Sequence, residues 1–454
     1  MSLLTLAFNP QPRAKTYCSG PILRVSGVWA VKILYIVLDG AADSPTSPRK
    51  TLEEASKPNI DSLGSHAVCG MVYTVKPGVA PQSDYATLSL LGYNPDEYYP
   101  GRGPLEAFGA GIEMRRGDIA LRANFATVDP GTLRIIDRRV GRSLTSREAR
   151  ELASAVDGME LEDGEGTALF RATIGHRGVL VLRHRSKPLS DAISNTDPAY
   201  ERRGRFSVAL EKYEPFIKLS NPLVEDEAAV LAARMLNEFT LKAVEILDSH
   251  PVNLAREKRG LLKANAILSR DAGGLPEEKP PSFQERFGLR GASIVEMVVE
   301  RGISRYIGLD DIRVEIEGRA REEVYREEAA RAVEALETHD LVYVHLKGPD
   351  EPGHDGSFEG KIRAVEDIDK HFFAPLLDRL SSAGLEPAFV VTSDHATPWD
   401  VGAHSGDPVP LMISHQSIQG SIGKFSETVC LRGRLGTIIG GYRIIPKTLS
   451  LLAG

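Results

Sequence analysis

Cysteine is scarce in this chain: three in 454 residues, Cys18, Cys69 and Cys430, far apart and in no CxxC spacing. A disulfide framework and a thiolate zinc site are therefore not expected, and a reducing cytoplasm is the simplest compartment. Long apolar runs are missing as well. No stretch reaches the roughly 18 to 20 residues that a membrane-spanning helix needs, so no membrane partner is expected. Nor is there a basic excess. The formal net charge is −7 and the pI near 6.0, which gives no general attraction for nucleic acid or an anionic membrane. An anionic substrate would have to be captured by a local cluster of Arg and Lys. No internal repeat or low-complexity tract is evident.

What is present is the composition of a globular protein, 42% hydrophobic and 26% charged, with apolar residues enough for a large core. The length favours two domains. The first convincing strand starts at Val31. Residues 1–30 contain Pro10, Pro12, Arg13, Lys15 and Pro21 but no signal-peptide core. They are expected to form a disordered N-terminal extension, or to reflect an over-long start with Val31 as the initiator.

Three short apolar runs, rich in β-branched residues, read as buried parallel strands. Ile33 to Leu38 leads into Asp39-Gly40. Leu341 to Leu346 leads into Lys347-Gly348-Pro349-Asp350, and Ala388 to Thr392 into Ser393-Asp394-His395. Acidic residues thus gather at strand C-terminal ends, where ligands bind in open α/β sheets. Between the second and third runs, Ile362, Val365, Ile368 and Phe372 form a helical apolar face. The alternation predicts a mostly parallel sheet with helices on both faces. The stretch from about Asp118 to Pro281 differs. It is Arg-rich, with its own strand pattern at Val179 to Leu182 and a helical run around Glu227 to Leu247. Gly273-Gly274…Pro280-Pro281 reads as a linker. The middle is expected to be a separate inserted domain.

The chemistry gathers in three clusters: Asp39-Gly40, Asp350 to Gly356 with His354, and Asp394-His395 followed by His404. Mixed carboxylate and imidazole ligands suit divalent ions such as Mn, Zn or Co better than Mg alone. Two such ions can clamp a phosphoryl group between attacking and leaving oxygens. Ser83, ahead of the helical run Ala86 to Leu91, is placed where backbone N–H groups favour an alkoxide and a phosphate. Taken singly, Asp39 reads as a turn residue and Ser83 as a helix cap; a solvated surface run is the lesser alternative for the Arg-rich turn 138–142. His345, in a strand pattern, reads as a packed core histidine.

The VLDG start, the APQSDYATLSLLGY segment, DEPGHDG, and SDHATP followed by HSGDPVP together resemble the archaeal-type 2,3-bisphosphoglycerate-independent phosphoglycerate mutases of the alkaline phosphatase superfamily. The resemblance spans roughly 31–454. It implies an alkaline-phosphatase-like α/β core from 31–117 and 285–454, interrupted by a substrate-binding cap at 118–284. It implies two divalent metals (Mn, Co, Zn or Mg), one bound by Asp350, His354 and His404, the other by Asp39, Asp394, His395 and the oxygen of Ser83. Ser83 would take the phosphoryl group from 3-phosphoglycerate and return it to give 2-phosphoglycerate. Substrate would be held by Asn124, Asp137, Arg138, Arg139, Arg142, His176 and Arg270, whose guanidinium groups suit phosphate and carboxylate. The family places the activity in glycolysis and gluconeogenesis, in the cytoplasm, and leaves homo-oligomerisation open. One departure is Lys347-Gly348-Pro349, where the family pattern carries Ala-Thr before the aspartate; residues 1–30 match nothing in that pattern. The rival readings are another phosphotransferase or phosphatase on the same core, or a non-catalytic binder of metal or phosphometabolite.

Overall fold

Apolar, β-branched runs become buried parallel strands when helices cover both faces of their sheet. The computed structural model describes residues 24–25, 28–29, 31–204 and 206–453. Its larger sheet has eight strands, ordered Asp310–Ile312, Gly291–Ile294, Leu341–Leu346, Ile33–Leu38, Ala388–Thr392, Val409–Ser414, Ala67–Tyr73 and Thr437–Ile439. Val409–Ser414 runs against both neighbours; all other adjacent pairs are parallel. The three motif-bearing runs therefore lie side by side at the centre of the sheet.

Strand alternation feeds two cores. Leu34, Ile36 and Leu38 pack on one face with Leu336, Val365, Phe372 and Leu376, from helices Arg321–Leu336, Phe358–Ile368, Asp369–Phe373 and Ala374–Ala383. Ile33, Tyr35 and Val37 pack on the other with Leu88, Ile303 and Ile445, from helices Ser83–Leu90, Val298–Tyr306 and Ile444–Leu452. This is the expected α/β class.

Between Ile119 and Gly274 the chain builds a separate, wholly antiparallel sheet. Its path runs Ala266–Gly274, Ile119–Val128, Arg177–His184, Gly166–Ala172, Met159–Leu161, with Ile135–Asp137 pairing Ile119–Val128. Helix Glu227–Asp248 covers one face, Leu236, Phe239 and Ala243 meeting Phe125, Phe170 and Leu180. Helix Arg102–Gly109 touches both units, packing on Val298–Tyr306 and on strands Ile119–Val128 and Ala266–Gly274.

The expectation of a linker beginning at Gly273-Gly274 is corrected. Both glycines end the strand Ala266–Gly274, paired with Ala120 and Ile119. A Cβ on Gly273 would fall 2.7 Å from the Pro100 carbonyl oxygen, so close approach between backbones, not flexibility, requires glycine there. The expectation for residues 1–30 lies outside the described residues, apart from the backbone of the short pair Arg24–Val25 and Val28–Trp29.

Candidate active site

Three adjacent parallel strands deliver the three motifs to one edge of the sheet. Ile33–Leu38 turns sharply at Gly40, whose φ is 60° and where a Cβ would stand 2.6 Å from Asp350 Oδ1. Glycine thus lets the Asp39 loop nest against the Asp350 loop. Ser83 is the first residue of helix Ser83–Leu90.

Among the expected ligands, His395 is central. Its Nε2 lies 3.0 Å from Asp394 Oδ2, 3.5 Å from Asp39 Oδ1 and 3.4 Å from Ser83 Oγ. Its ring stacks on His404 with centroids 3.6 Å apart. Asp350 Oδ1 stands 3.5 Å from His404 Nε2 and 3.6 Å from His354 Nε2. All seven expected ligands therefore sit in one continuous cluster.

The donor set fits divalent cations. Asp39 Oδ1 and Asp394 Oδ2 are buried without a hydrogen-bond partner, a rare condition for polar atoms. The three histidines are oriented through their other nitrogen: Nδ1 of His404 lies 2.9 Å from the Pro81 carbonyl, of His354 3.1 Å from that of Gly402, and of His395 3.0 Å from Thr397 Oγ1. Each presents Nε2 to the cluster, the usual arrangement behind a metal-binding imidazole. Thr397 also donates to Asp350 Oδ1 at 2.8 Å.

Electrostatics reinforce this. Burial alone would raise the Asp394 carboxyl, but His395, His345 and Lys347 hold it well below the usual carboxylate range. Burial would also raise Asp350, yet the His404 hydrogen bond and His395 bring it to about 2. Asp39 remains raised, burial and Asp394 outweighing Lys347.

Several residues here were not expected from sequence. Lys347 Nζ bonds Glu300 Oε1 at 2.5 Å and lies 3.0 Å from Asp39 Oδ2. His345 is no ordinary core histidine: its Nε2 faces Asp394 Oδ2 at 3.6 Å and Asp39 Oδ1 at 3.8 Å. Lys361, fully buried, donates to Asp43 Oδ1 and to the carbonyls of Ala42 and Thr397 at 2.6, 2.9 and 2.8 Å. It ties the Asp39 and His395 loops to the helix that follows His354.

A second cluster lies on the antiparallel sheet. Buried Asp197 receives Arg138 Nε and a terminal nitrogen at 3.0 and 2.6 Å, and Arg270 at 3.2 Å. Asn124 joins the two, accepting from Arg270 at 2.7 Å and donating to the Arg138 carbonyl at 2.8 Å. The Tyr200 ring lies 4.5 Å beneath the Arg270 guanidinium. Asp137 holds the turn, accepting the N–H groups of Arg139 and Gly141. Val140, Gly141 and Arg142 all have left-handed backbones, φ 55°, 56° and 53°. For a β-branched valine that is a strained conformation, of the kind concentrated at functional sites. The turn borders a cavity of about 600 Å³ lined by Arg138, Arg139, Arg142 and Tyr213. Burial and the neighbouring Arg177, Arg139, Arg142 and Arg270 push His176 down to about 4.

Among the described residues, no side chain of this arginine cluster bonds a member of the metal-ligand cluster. A ladder of ion pairs runs between them: Arg270–Asp271 at 3.8 Å, Asp271–Arg122 at 3.3 Å, Arg122–Glu106 at 3.0 Å and Glu106–Arg102 at 3.2 Å. It reaches the helix that follows Tyr99, whose hydroxyl donates to Asp84 beside Ser83 at 2.6 Å.

The chain is similar to known proteins over most of its length. A family model described as 2,3-bisphosphoglycerate-independent phosphoglycerate mutase matches residues 64–253. A 2,3-bisphosphoglycerate-independent phosphoglycerate mutase of Pyrobaculum aerophilum is 39% identical, covering 90% of this chain and 95% of that protein. One from Archaeoglobus fulgidus is 40% identical over 90% and 95% of the two chains. Among solved structures, a Pyrococcus horikoshii protein matches with a TM-score of 0.73 at 28% identity, covering 93% of this chain and 97% of that one. The cofactor-independent phosphoglycerate mutase of Thermoplasma acidophilum matches with a TM-score of 0.64 at 31% identity, covering 93% and 100%.

Proposed function

The chain belongs to the 2,3-bisphosphoglycerate-independent phosphoglycerate mutase family, and from that premise we propose that it interconverts 3-phosphoglycerate and 2-phosphoglycerate through a phosphoserine at Ser83. The observation that carries the reading is the setting of His395 Nε2, with Ser83 Oγ 3.4 Å to one side and the unpartnered oxygens of Asp39 and Asp394 at 3.5 and 3.0 Å.

The family and the clustered ligand types point to divalent-metal dependence. In this proposal Asp39, Asp394, His395 and Ser83 hold one ion, and Asp350, His354 and His404 the other, with Mn, Co, Zn or Mg as candidates. Bound there, such ions lower the pKa of the serine hydroxyl and spread the charge of the transferring group. The chain's own residues do the rest. The deprotonated Ser83 oxygen attacks phosphorus, and the bond to the 3-oxygen of glycerate breaks, that oxygen taking up a proton. The 2-hydroxyl then gives up its proton as its oxygen attacks the phosphoserine, and Ser83 leaves as the alkoxide it began as. The first turn of helix Ser83–Leu90 orients the serine and favours negative charge.

Residues 118–284 act as the cap. Arg138, Arg139, Arg142 and Arg270 hold the glycerate carboxylate and phosphate while the intermediate exists, with Asn124, Asp137 and His176 supporting them. Retaining glycerate and excluding water separate a mutase from a phosphatase. The test is a coupled assay on 3-phosphoglycerate without bisphosphoglycerate, with metal-stripped protein resupplied with Mn, Co, Zn or Mg. Metal-dependent 2-phosphoglycerate is expected. Free phosphate as the main product would make this a phosphatase, and no reaction with any of the four metals would overturn the proposal.

A further inference from the structure

His345 stands at the centre of the sheet, on strand Leu341–Leu346, and is completely buried. Neither ring nitrogen makes a hydrogen bond of proper geometry. Nδ1 lies 3.2 Å from Glu300 Oε1, a carboxylate only 1% exposed on helix Val298–Tyr306. Nε2 faces Asp394 Oδ2 at 3.6 Å and Asp39 Oδ1 at 3.8 Å, and those two oxygens also lack partners.

Three unpartnered buried atoms at such spacings are too far apart to bond one another. Atoms that each lie roughly 2.0–2.2 Å from a common ion stand about 3–4 Å apart. The flanking groups agree with that reading. Glu300 is held by the Lys347 ammonium and by the Met297 N–H at 2.5 and 3.1 Å, so its carboxylate is fixed in place. With the Glu300 carboxylate 3.2 Å from Nδ1, that nitrogen is the one favoured to carry the proton of a neutral ring, and Nε2 is the one turned to the cluster. Lys347 meanwhile engages Asp39 through Oδ2, leaving Oδ1 to the cluster.

Resting on the two-metal reading, we infer that His345 is a further ligand of the ion held by Asp39 and Asp394, and that Glu300 is its positioning residue. The test is Mn titration of metal-stripped protein followed by electron paramagnetic resonance. Wild type, His345→Ala, Glu300→Gln and His354→Ala are compared, with circular dichroism as the check on folding. Wild type should bind two Mn ions per chain. His345→Ala should weaken one of them by at least tenfold and leave the other unchanged. Glu300→Gln, nearly isosteric, should weaken the same one by about 10- to 100-fold. His354→Ala should weaken the other. If His345→Ala unfolds the chain, Glu300→Gln decides alone. Two ions bound with wild-type affinity in a folded variant would overturn the inference and leave the two-metal reading intact. A wild type that binds no metal would overturn both.

Discussion

Ser83 Oγ and His395 Nε2 lie 3.4 Å apart although 312 residues separate them in the chain. One begins a helix over one face of the sheet; the other follows the central strand Ala388–Thr392. Their meeting brings the proposed nucleophile against the central histidine of the candidate metal-ligand cluster. Ser83→Ala is expected to lower turnover on the order of 10³-fold or more while leaving the fold intact. Steady-state assay with circular dichroism checks this, and near-wild-type turnover would remove Ser83 as the nucleophile.

The arginine cluster should show itself in binding. Arg138 is clamped by Asp197 and stands beside the strained 140–142 turn. Removing a charged hydrogen-bonding group costs about 1.5–3 kcal/mol, so Arg138→Ala should raise KM for 3-phosphoglycerate roughly 10- to 100-fold. If the cap retains glycerate, the variant should also release more free phosphate per turnover. An unchanged KM would remove Arg138 from substrate binding.

Lys361 should act on metal affinity at a distance. Lys361→Met leaves the Asp43 carboxylate buried and unmatched, a change that costs about 3–5 kcal/mol, and frees the Ala42 and Thr397 carbonyls. The prediction is a lower unfolding temperature together with weaker Mn binding, because both ligand loops lose their common anchor. Lower stability with unchanged Mn affinity would confine Lys361 to the fold.

Glu427 gives a pH test. Burial pushes its carboxyl up to about 7; one oxygen accepts the Asp43 N–H at 3.0 Å and the other has no partner. Unfolded, a glutamate titrates near 4.3, so between about 4.3 and 7 the folded chain binds more protons and stability falls as pH rises. The full difference is on the order of 3 kcal/mol. Glu427→Gln should match wild type near pH 4.5 and unfold a few degrees higher above pH 7. Parallel melting curves at both pH values would contradict this.

The central strands and their terminal motifs were legible because apolar runs ending in Asp39, Asp350 and Asp394 carry a local signal. The bracing residues carry none. His345 alternates into an apolar strand and reads as core, and Glu300 lies 45 residues from it on a helix with a polar face of its own. Lys361 looks like one more helical lysine; only the fold turns it toward the Ala42 and Thr397 carbonyls. Asp197 lacked a recognisable pattern because its partners, Arg138 and Arg270, come from distant strands and turns. Gly273-Gly274 reads as a linker because glycine pairs signal flexibility in sequence, whereas here Gly273 permits close contact with Pro100. Long-range pairing is what local patterns omit.

The account turns on the phosphoryl group passing through Ser83, and rapid-quench peptide mass mapping during turnover tests that most directly. Metal-loaded protein mixed with 3-phosphoglycerate should carry phosphate on the Ser83 peptide, at a level that rises and holds through the steady state. Metal-stripped protein should carry none. Active turnover with no phosphate on Ser83, or with phosphate on another residue, would contradict the mechanism.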